Sequence, residues 1–236
     1  LKRHAESLRR LFVATSKDIR VLIVKLADRL HNMQTLEHVK PEKQKRIALE
    51  TLEVYAPVAD RLGMGKLKGE LEDLAFPYVF PEEYEKVLPI FKERTKDADK
   101  ILEKLSRSVK KKLAEKKITK FKTAHRIKRL YSFSKKLERK KGDVSDIYDM
   151  LAFRIIVPTI DDCYRVLGVI HSTFRPLPER LKDYIAFPKP NGYRSIHTTV
   201  FTGDGNIVEM QIRTEQMERE AQYGIAAELT YKGGGK

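Results

Sequence analysis

The spacing of apolar residues changes near Ile118, and that change limits the architectures open to the chain. Before it, apolar positions recur at helical intervals: Leu22, Leu26, Leu30 and Met33, then Ile47, Leu49, Leu52, Val54 and Val58 up to Gly63. Pro41 falls where a first-turn proline belongs. Pro81 opens a long charged helical stretch through Leu88, Phe91, Ile101, Leu105, Val109 and Leu113, with Pro89 as a candidate kink. After Ile118 the segments shorten and alternate. LAFRIIV (151–157), YRSIHTTVF (193–201) and NIVEMQIR (206–213) read as strands, and TGDG (202–205) as the turn joining the last two into a hairpin. Helical patterns lie at 130–139, 161–174 and 215–229. The reading is α+β: an all-helical front (1–62), connecting helices (63–118) and a mixed domain (119–236) whose sheet is flanked by helices.

A chain of 236 residues with 41% hydrophobic content can bury a core, and no apolar run approaches the ~20 residues of a membrane span. The start, LKRHAESLRR, has neither an initiator Met nor the apolar stretch of a secretory signal, which suggests an internal position of a longer protein or a processed or truncated end. The single cysteine, Cys163, excludes an internal disulfide and a Cys-based metal cluster, and points to a cytoplasmic setting. Charge is uneven. Lys110–Lys141 holds 15 Lys or Arg against two acids, Glu115 and Glu138, a net +13 of the chain's total +15. Such a block faces an anionic partner or is a solvated helix surface.

Specific chemistry appears in three places. In 206–213, Glu209, Gln211 and Arg213 alternate with Val208, Met210 and Ile212, so Glu209 stands on a polar sheet face. The hairpin sets that face beside Tyr193, Ser195 and His197. Asp149 precedes a buried strand; two carboxylates from different strands of one sheet can hold Mg²⁺ and leave room for substrate phosphates. The plainer alternative is that Glu209 pairs with a Lys or Arg on a solvated face. In 125–139, Arg126 and Lys128 lie in an extended segment, and Ser132, Lys135 and Lys136 in the first turns of a helix, where backbone N–H groups attract phosphate. Arg can stack flat on a base. The loop DYIAFPKPNGYRSIHTT (183–199) presents Tyr193 and His197 from a rigid turn.

These segments resemble the RelA/SpoT family of (p)ppGpp synthetase/hydrolases. RIKRLYSFSKKL, IYDMLAFRIIV, RLKDYIAFPKPNGYRSIHTT, VEMQIRT and GIAAELTYK are similar to the family's synthetase motifs, in order. VKLADRLHNMQTL (24–36) is similar to the last metal-binding helix of its HD-type hydrolase domain.

The resemblance implies a nucleotidyltransferase-like synthetase domain behind the remnant of an HD domain. It implies transfer of the β,γ-pyrophosphoryl group of ATP to the 3′-OH of GTP or GDP, as in the stringent response. It assigns Asp149 and Glu209 to Mg²⁺, with Glu209 also the general base; Arg126 to the adenine, with Arg154 nearby; Lys128, Ser132, Lys136 and Lys182 to the ATP phosphates; Tyr193 to guanine stacking, Asn191 to the shape of that pocket and His197 to phosphate oxygens. The basic motif RLKD (180–183) goes with the family's bifunctional members. A ribosome would be met only through domains this chain lacks. The chain departs from the family's usual residues at His125, Arg129, Glu228 and Leu229, which bears on fine substrate positioning.

For the hydrolase half the resemblance matches Asp28 to the closing metal ligand, which would hold Mn²⁺ in a full-length parent, and Asn32 and Thr35 to nucleotide-pocket residues. The other ligands would precede residue 1, and none of His4, His31 and His38 is followed by Asp, so no hydrolase activity is expected. Two other functions fit parts of the sequence. One is an RNA-binding module built on the basic block with Phe121, Tyr131 and Phe133. The other is a regulatory fragment that binds guanine nucleotides without turnover.

Overall fold

The computed structural model describes residues 18–144, 147 and 150–227. The chain forms two compact units. Among the described residues, one takes 18–86 and 220–227, and the other takes those between 87 and 219.

The first unit is helical. Helix α1 (Ile19–Gln34) starts at Asp18, whose side chain accepts a hydrogen bond from Arg20 N at 2.9 Å, and it buries Leu22, Leu26 and Met33. Pro41 occupies the first turn of α2 (Pro41–Glu50), where its missing N–H costs nothing. A π-helical turn, Thr51–Tyr55, leads into α3 (Ala56–Arg61), which ends before Gly63 at φ +71°. Helix α4 (Gly65–Val79) packs Leu71 and Ala75 into the same core as Leu26, Leu36 and Val54. Arg29 ties this core together: it pairs with Glu50 at 3.0 Å and lies 4.0 Å from the Tyr55 ring centroid. Residues after Glu220 return here, where Ile225 N donates to Leu62 O at 3.0 Å and Ala226 packs against the core. The expected connecting segment, 63–118, is shared: α4 belongs to this core and its later part to the other.

The long charged stretch is two helices rather than one: α5 (Pro81–Thr95), with Pro89 inside, and α6 (Ala98–Glu115). At the end of α5 the Thr95 hydroxyl donates back to Phe91 O at 2.8 Å, the kind of local bond that competes with helix continuation. No Gly or Pro marks the break, so the apolar spacing reads through it.

The second unit is built on a sheet of five strands, β1 (Lys122–Ile127), β2 (Leu151–Val157), β3 (Lys182–Asp183), β4 (Ile196–Phe201) and β5 (Ile207–Thr214). Their order is β1-β2-β5-β4-β3. Only β2 and β5 run parallel; β1–β2, β5–β4 and β4–β3 are antiparallel. The sheet is therefore mixed, as expected. The hairpin turn places Gly203 and Gly205 at φ +81° and +84°. Residues paired across strands share a face. One face carries Phe153, Ile155, Val208, Met210, Ile212, Ile196 and Val200, all buried. They share a core with Leu102, Leu105, Val109 and Leu113 of α6 and with Cys163, Val166 and Ile170 of α8 (Ile160–Thr173). Helix α7 (Leu130–Arg139) adds Phe133 and Leu137. Strand β5 passes directly into α9 (Glu215–Tyr223). Among the described residues no helix is long and apolar enough to cross a membrane.

Candidate active site

The opposite sheet face is polar because the same alternation that buries Met210 and Ile212 turns Glu209, Gln211 and Arg213 the other way. The register fixes their neighbours. Glu209 lies between Ala152 and Thr199, and Gln211 between Arg154 and His197. On β1, Arg126 stands opposite Ala152, and at the far edge Lys182 stands opposite His197. Five of the expected residues, Arg126, Arg154, Lys182, His197 and Glu209, thus share one face of one sheet.

Tyr193 joins them from the loop before β4. Asn191 Oδ1 accepts from Tyr193 N at 3.2 Å, and Gly192 takes φ +78°, closing the turn that presents the ring. The ring meets His197 and Tyr184 edge-on, at centroid distances of 5.6 and 6.0 Å. Lys189 Nζ lies 5.0 Å from its centroid and the Arg213 guanidinium 5.2 Å.

A closed ring of hydrogen bonds holds the centre. Arg213 Nη2 donates to Tyr193 Oη at 2.8 Å and to Gln211 Oε1 at 2.6 Å. Gln211 Nε2 donates to Glu209 Oε2 at 2.7 Å. His197 Nδ1 lies 3.1 Å from Glu209 Oε1, and His197 Nε2 lies 2.7 Å from Tyr193 Oη. A carboxylate only accepts, so the network assigns the imidazole proton to Nδ1 and leaves Nε2 to receive the tyrosine hydroxyl. Burial pushes the Tyr193 phenol up and the His197 imidazole down, the latter against the Glu209 hydrogen bond. Both stay neutral near pH 7, which suits that assignment. Both His197 nitrogens are engaged by protein groups here.

Arg126 leaves over a third of its surface in water, yet its guanidinium is pulled below its ordinary value, first by desolvation and then by Arg154. Two guanidiniums set close on one face form an electropositive wall. Lys128 follows β1 directly and anchors its backbone N–H on Met150 O at 2.8 Å. Helix α7 follows Arg129, whose own side chain makes no capping hydrogen bond. Ser132 and Lys136, four residues apart, share one side of that helix. Asp149 lies outside the described residues.

Asp28, Asn32 and Thr35 sit on one stripe of α1 and just past its end. Asn32 Nδ2 donates to Asp28 Oδ2 at 3.2 Å, and the Thr35 hydroxyl to His31 O at 3.1 Å. Asp28 and Asn32 are exposed.

A family model described as a region found in RelA / SpoT proteins matches residues 125–236, and one described as an HD domain matches residues 1–65. The chain belongs to the RelA/SpoT family. Among RelA/SpoT relatives, a Myxococcus xanthus protein named GTP pyrophosphokinase is 46% identical over 233 residues, 99% of this chain and 31% of that protein. An Aquifex aeolicus protein named guanosine-3′,5′-bis(diphosphate) 3′-pyrophosphohydrolase is 48% identical over 230 residues, 98% of this chain and 33% of that protein. The chain spans about a third of the length of these curated relatives. Small alarmone synthetase 1 of Bacillus subtilis, solved with pppGpp, aligns with 25% identity and a TM-score of 0.44, over 66% of this chain and 84% of that one.

The RelA/SpoT motifs point to Glu209, His197 and Tyr193, but not to the groups that hold them. Arg213 and Gln211 are legible from alternation alone, as the residues sharing a face with Glu209. Glu218 is not: it reads as one acid among several in a helical pattern, and only the structure brings it to the sheet.

Proposed function

We propose that the chain is a GTP/GDP pyrophosphokinase, with 119–236 as its synthetase region. The reading is carried by Glu209, a carboxylate fixed through both oxygens on a sheet face otherwise set with arginines, a histidine and an aromatic ring. ATP would lie along Arg126 and Arg154, with Lys128, Ser132, Lys136 and Lys182 on its phosphates. The guanine would stack on Tyr193, in a loop shaped by Asn191. Glu209 would take the proton of the guanosine 3′-OH as that oxygen bonds to the β-phosphorus of ATP. The bond from the β-phosphorus to the α,β-bridging oxygen breaks, and AMP leaves with those electrons. The cations hold the developing charge, and positioning supplies much of the rate. For His197 to donate to a phosphate, as the family resemblance implies, the Tyr193 hydroxyl must first give way and Nε2 must take up a proton.

Mg²⁺ fits the donor chemistry at Glu209, a partly exposed carboxylate on a polar face, which would hold the ion together with Asp149. When bound, it supplies positive charge to the transferred phosphoryl oxygens. Asp28 would hold Mn²⁺ only beside ligands from a longer parent; among the described residues no three His, Cys, Asp or Glu side chains group to hold a metal. A cytoplasmic setting accords with nucleotide substrates and with Cys163, which is buried and has its thiol pushed up to about 12.

The test is product formation from ATP plus GDP or GTP with Mg²⁺. The native chain is expected to release AMP and a 3′-pyrophosphorylated guanosine nucleotide, and Glu209→Gln to slow this by about a hundredfold or more. Native protein that binds both nucleotides and yields no product would leave a regulatory fragment instead.

A further inference from the structure

Glu218 is a carboxylate between two arginines. It lies in the first turn of α9, three residues past Glu215, and that turn is held by Met217 N donating to Thr214 Oγ1 at 3.2 Å. The helix therefore starts at a fixed angle to β5 and returns Glu218 to the polar face, where only 9% of the residue is exposed. One oxygen, Oε1, accepts from Arg154 Nη1. The other, Oε2, is 3.1 Å from Arg213 Nη1. Neither Arg154 Nε nor Arg213 Nε has a hydrogen-bond acceptor among the described residues. For Arg154 the shared carboxylate is thus a main constraint on how the guanidinium is turned; for Arg213 it adds a charge contact to the hydrogen bonds with Tyr193 and Gln211.

The two arginines look in different directions chemically. Arg154 stands beside Arg126 on the side assigned to the adenine nucleotide. Arg213 holds Tyr193 and, through Gln211, Glu209. We propose that Glu218 is a positioning residue for both nucleotide half-sites, orienting Arg154 toward ATP and Arg213 toward the guanine platform and the base. This rests on the synthetase reading above. Without the carboxylate, buried Arg213 and largely buried Arg154 would repel and rotate apart, since an unpaired charge in such surroundings seeks water or a new partner.

Initial rates with each nucleotide varied in turn test this on native protein, Glu218→Gln, Glu218→Asp, Arg154→Ala and the Arg154→Ala/Glu218→Gln double variant, with circular dichroism as the folding check. Glu218→Gln is expected to raise the KM for ATP about tenfold, equal to ~1.4 kcal/mol of binding, and to raise the KM for the guanine nucleotide as well. Glu218→Asp should recover part of each. In the Arg154→Ala background, Glu218→Gln should add little to the KM for ATP, because its effect passes through Arg154. A folded Glu218→Gln with both KM values within about twofold of native, or with effects that simply add to those of Arg154→Ala, overturns the proposal. Should Glu218→Gln not fold, ¹⁵N spectra of the arginine guanidiniums in native protein decide it. Slow rotation at the Arg154 Nη groups is expected, and a freely averaging Arg154 signal overturns it; Arg213 is also held by Tyr193 and Gln211 and does not discriminate. Failure of the synthetase reading would look different: native protein would make no product, while the guanidinium spectra still report on Glu218.

Discussion

Arg213 reaches Glu209 twice without touching it. One path runs through Gln211 to Oε2, the other through Tyr193 and His197 to Oε1, and along both every donor points toward the carboxylate. Chains of aligned hydrogen bonds polarise one another. The guanidinium thus acts on the base at a distance, through neutral groups that also form the guanine site.

Arg213→Lys keeps the charge and loses the fork, since an ammonium on a flexible stem cannot serve Gln211, Tyr193 and Glu218 in one plane. Product formation is expected to fall about tenfold or more, mainly in kcat, with native circular dichroism. Unchanged turnover would show that the two paths do not matter to the base.

Tyr193 has two separable parts. Tyr193→Phe retains the ring and removes the hydroxyl bonded to His197 and Arg213. It should leave the KM for GDP or GTP within about threefold and lower kcat, whereas Tyr193→Ala should raise that KM by about tenfold or more, since stacking on an aromatic is worth ~1–3 kcal/mol. Steady-state kinetics with each variant separates platform from relay.

Stability should fall in mild acid. Burial holds the His197 and His171 imidazoles below their ordinary 6.5. The unfolded chain then binds more protons than the folded one, so their contribution is complete above about pH 6.5 and declines as pH drops through it, by up to ~1.4 kcal/mol per unit for His197 and by less for His171, which solvent partly screens. Urea midpoints at pH 7.5 and 5.5 measure this, and His197→Gln should reduce the difference.

Gly224 tolerates no side chain. It has φ +52°, and a Cβ there would stand 1.9 Å from Leu62 O. Gly203 has φ +81° with nothing within 4 Å. Gly203→Ala is expected to cost ~1 kcal/mol from backbone strain alone. Gly224→Ala should cost more than ~2 kcal/mol, because backbone must move. Thermal unfolding of the two variants compares them directly.

Much of the sheet was legible because its polar and apolar faces follow a period of two. LAFRIIV is β2 as read, and the hairpin strands differ by one to three residues at their ends. What was missed has local causes. Strand β3 is two residues long and sits among turn residues, too short for any period to show. The break between α5 and α6 carries no Gly or Pro. Glu218 matters only through tertiary contacts, and a helix pattern does not say which of its acids a neighbouring sheet will claim.

Strand β5 ends at Thr214 and α9 begins at Glu215, with no loop between. The two elements therefore behave as one bent bar, and chain length becomes as binding a specification as residue type. One residue inserted between Thr214 and Glu218 would swing the carboxylate about 100° around the helix axis and ~1.5 Å along it. Both arginines would then lose their common partner while every side chain named here stayed in the sequence. A substitution on either side changes one contact at a time; an insertion at this joint changes them all.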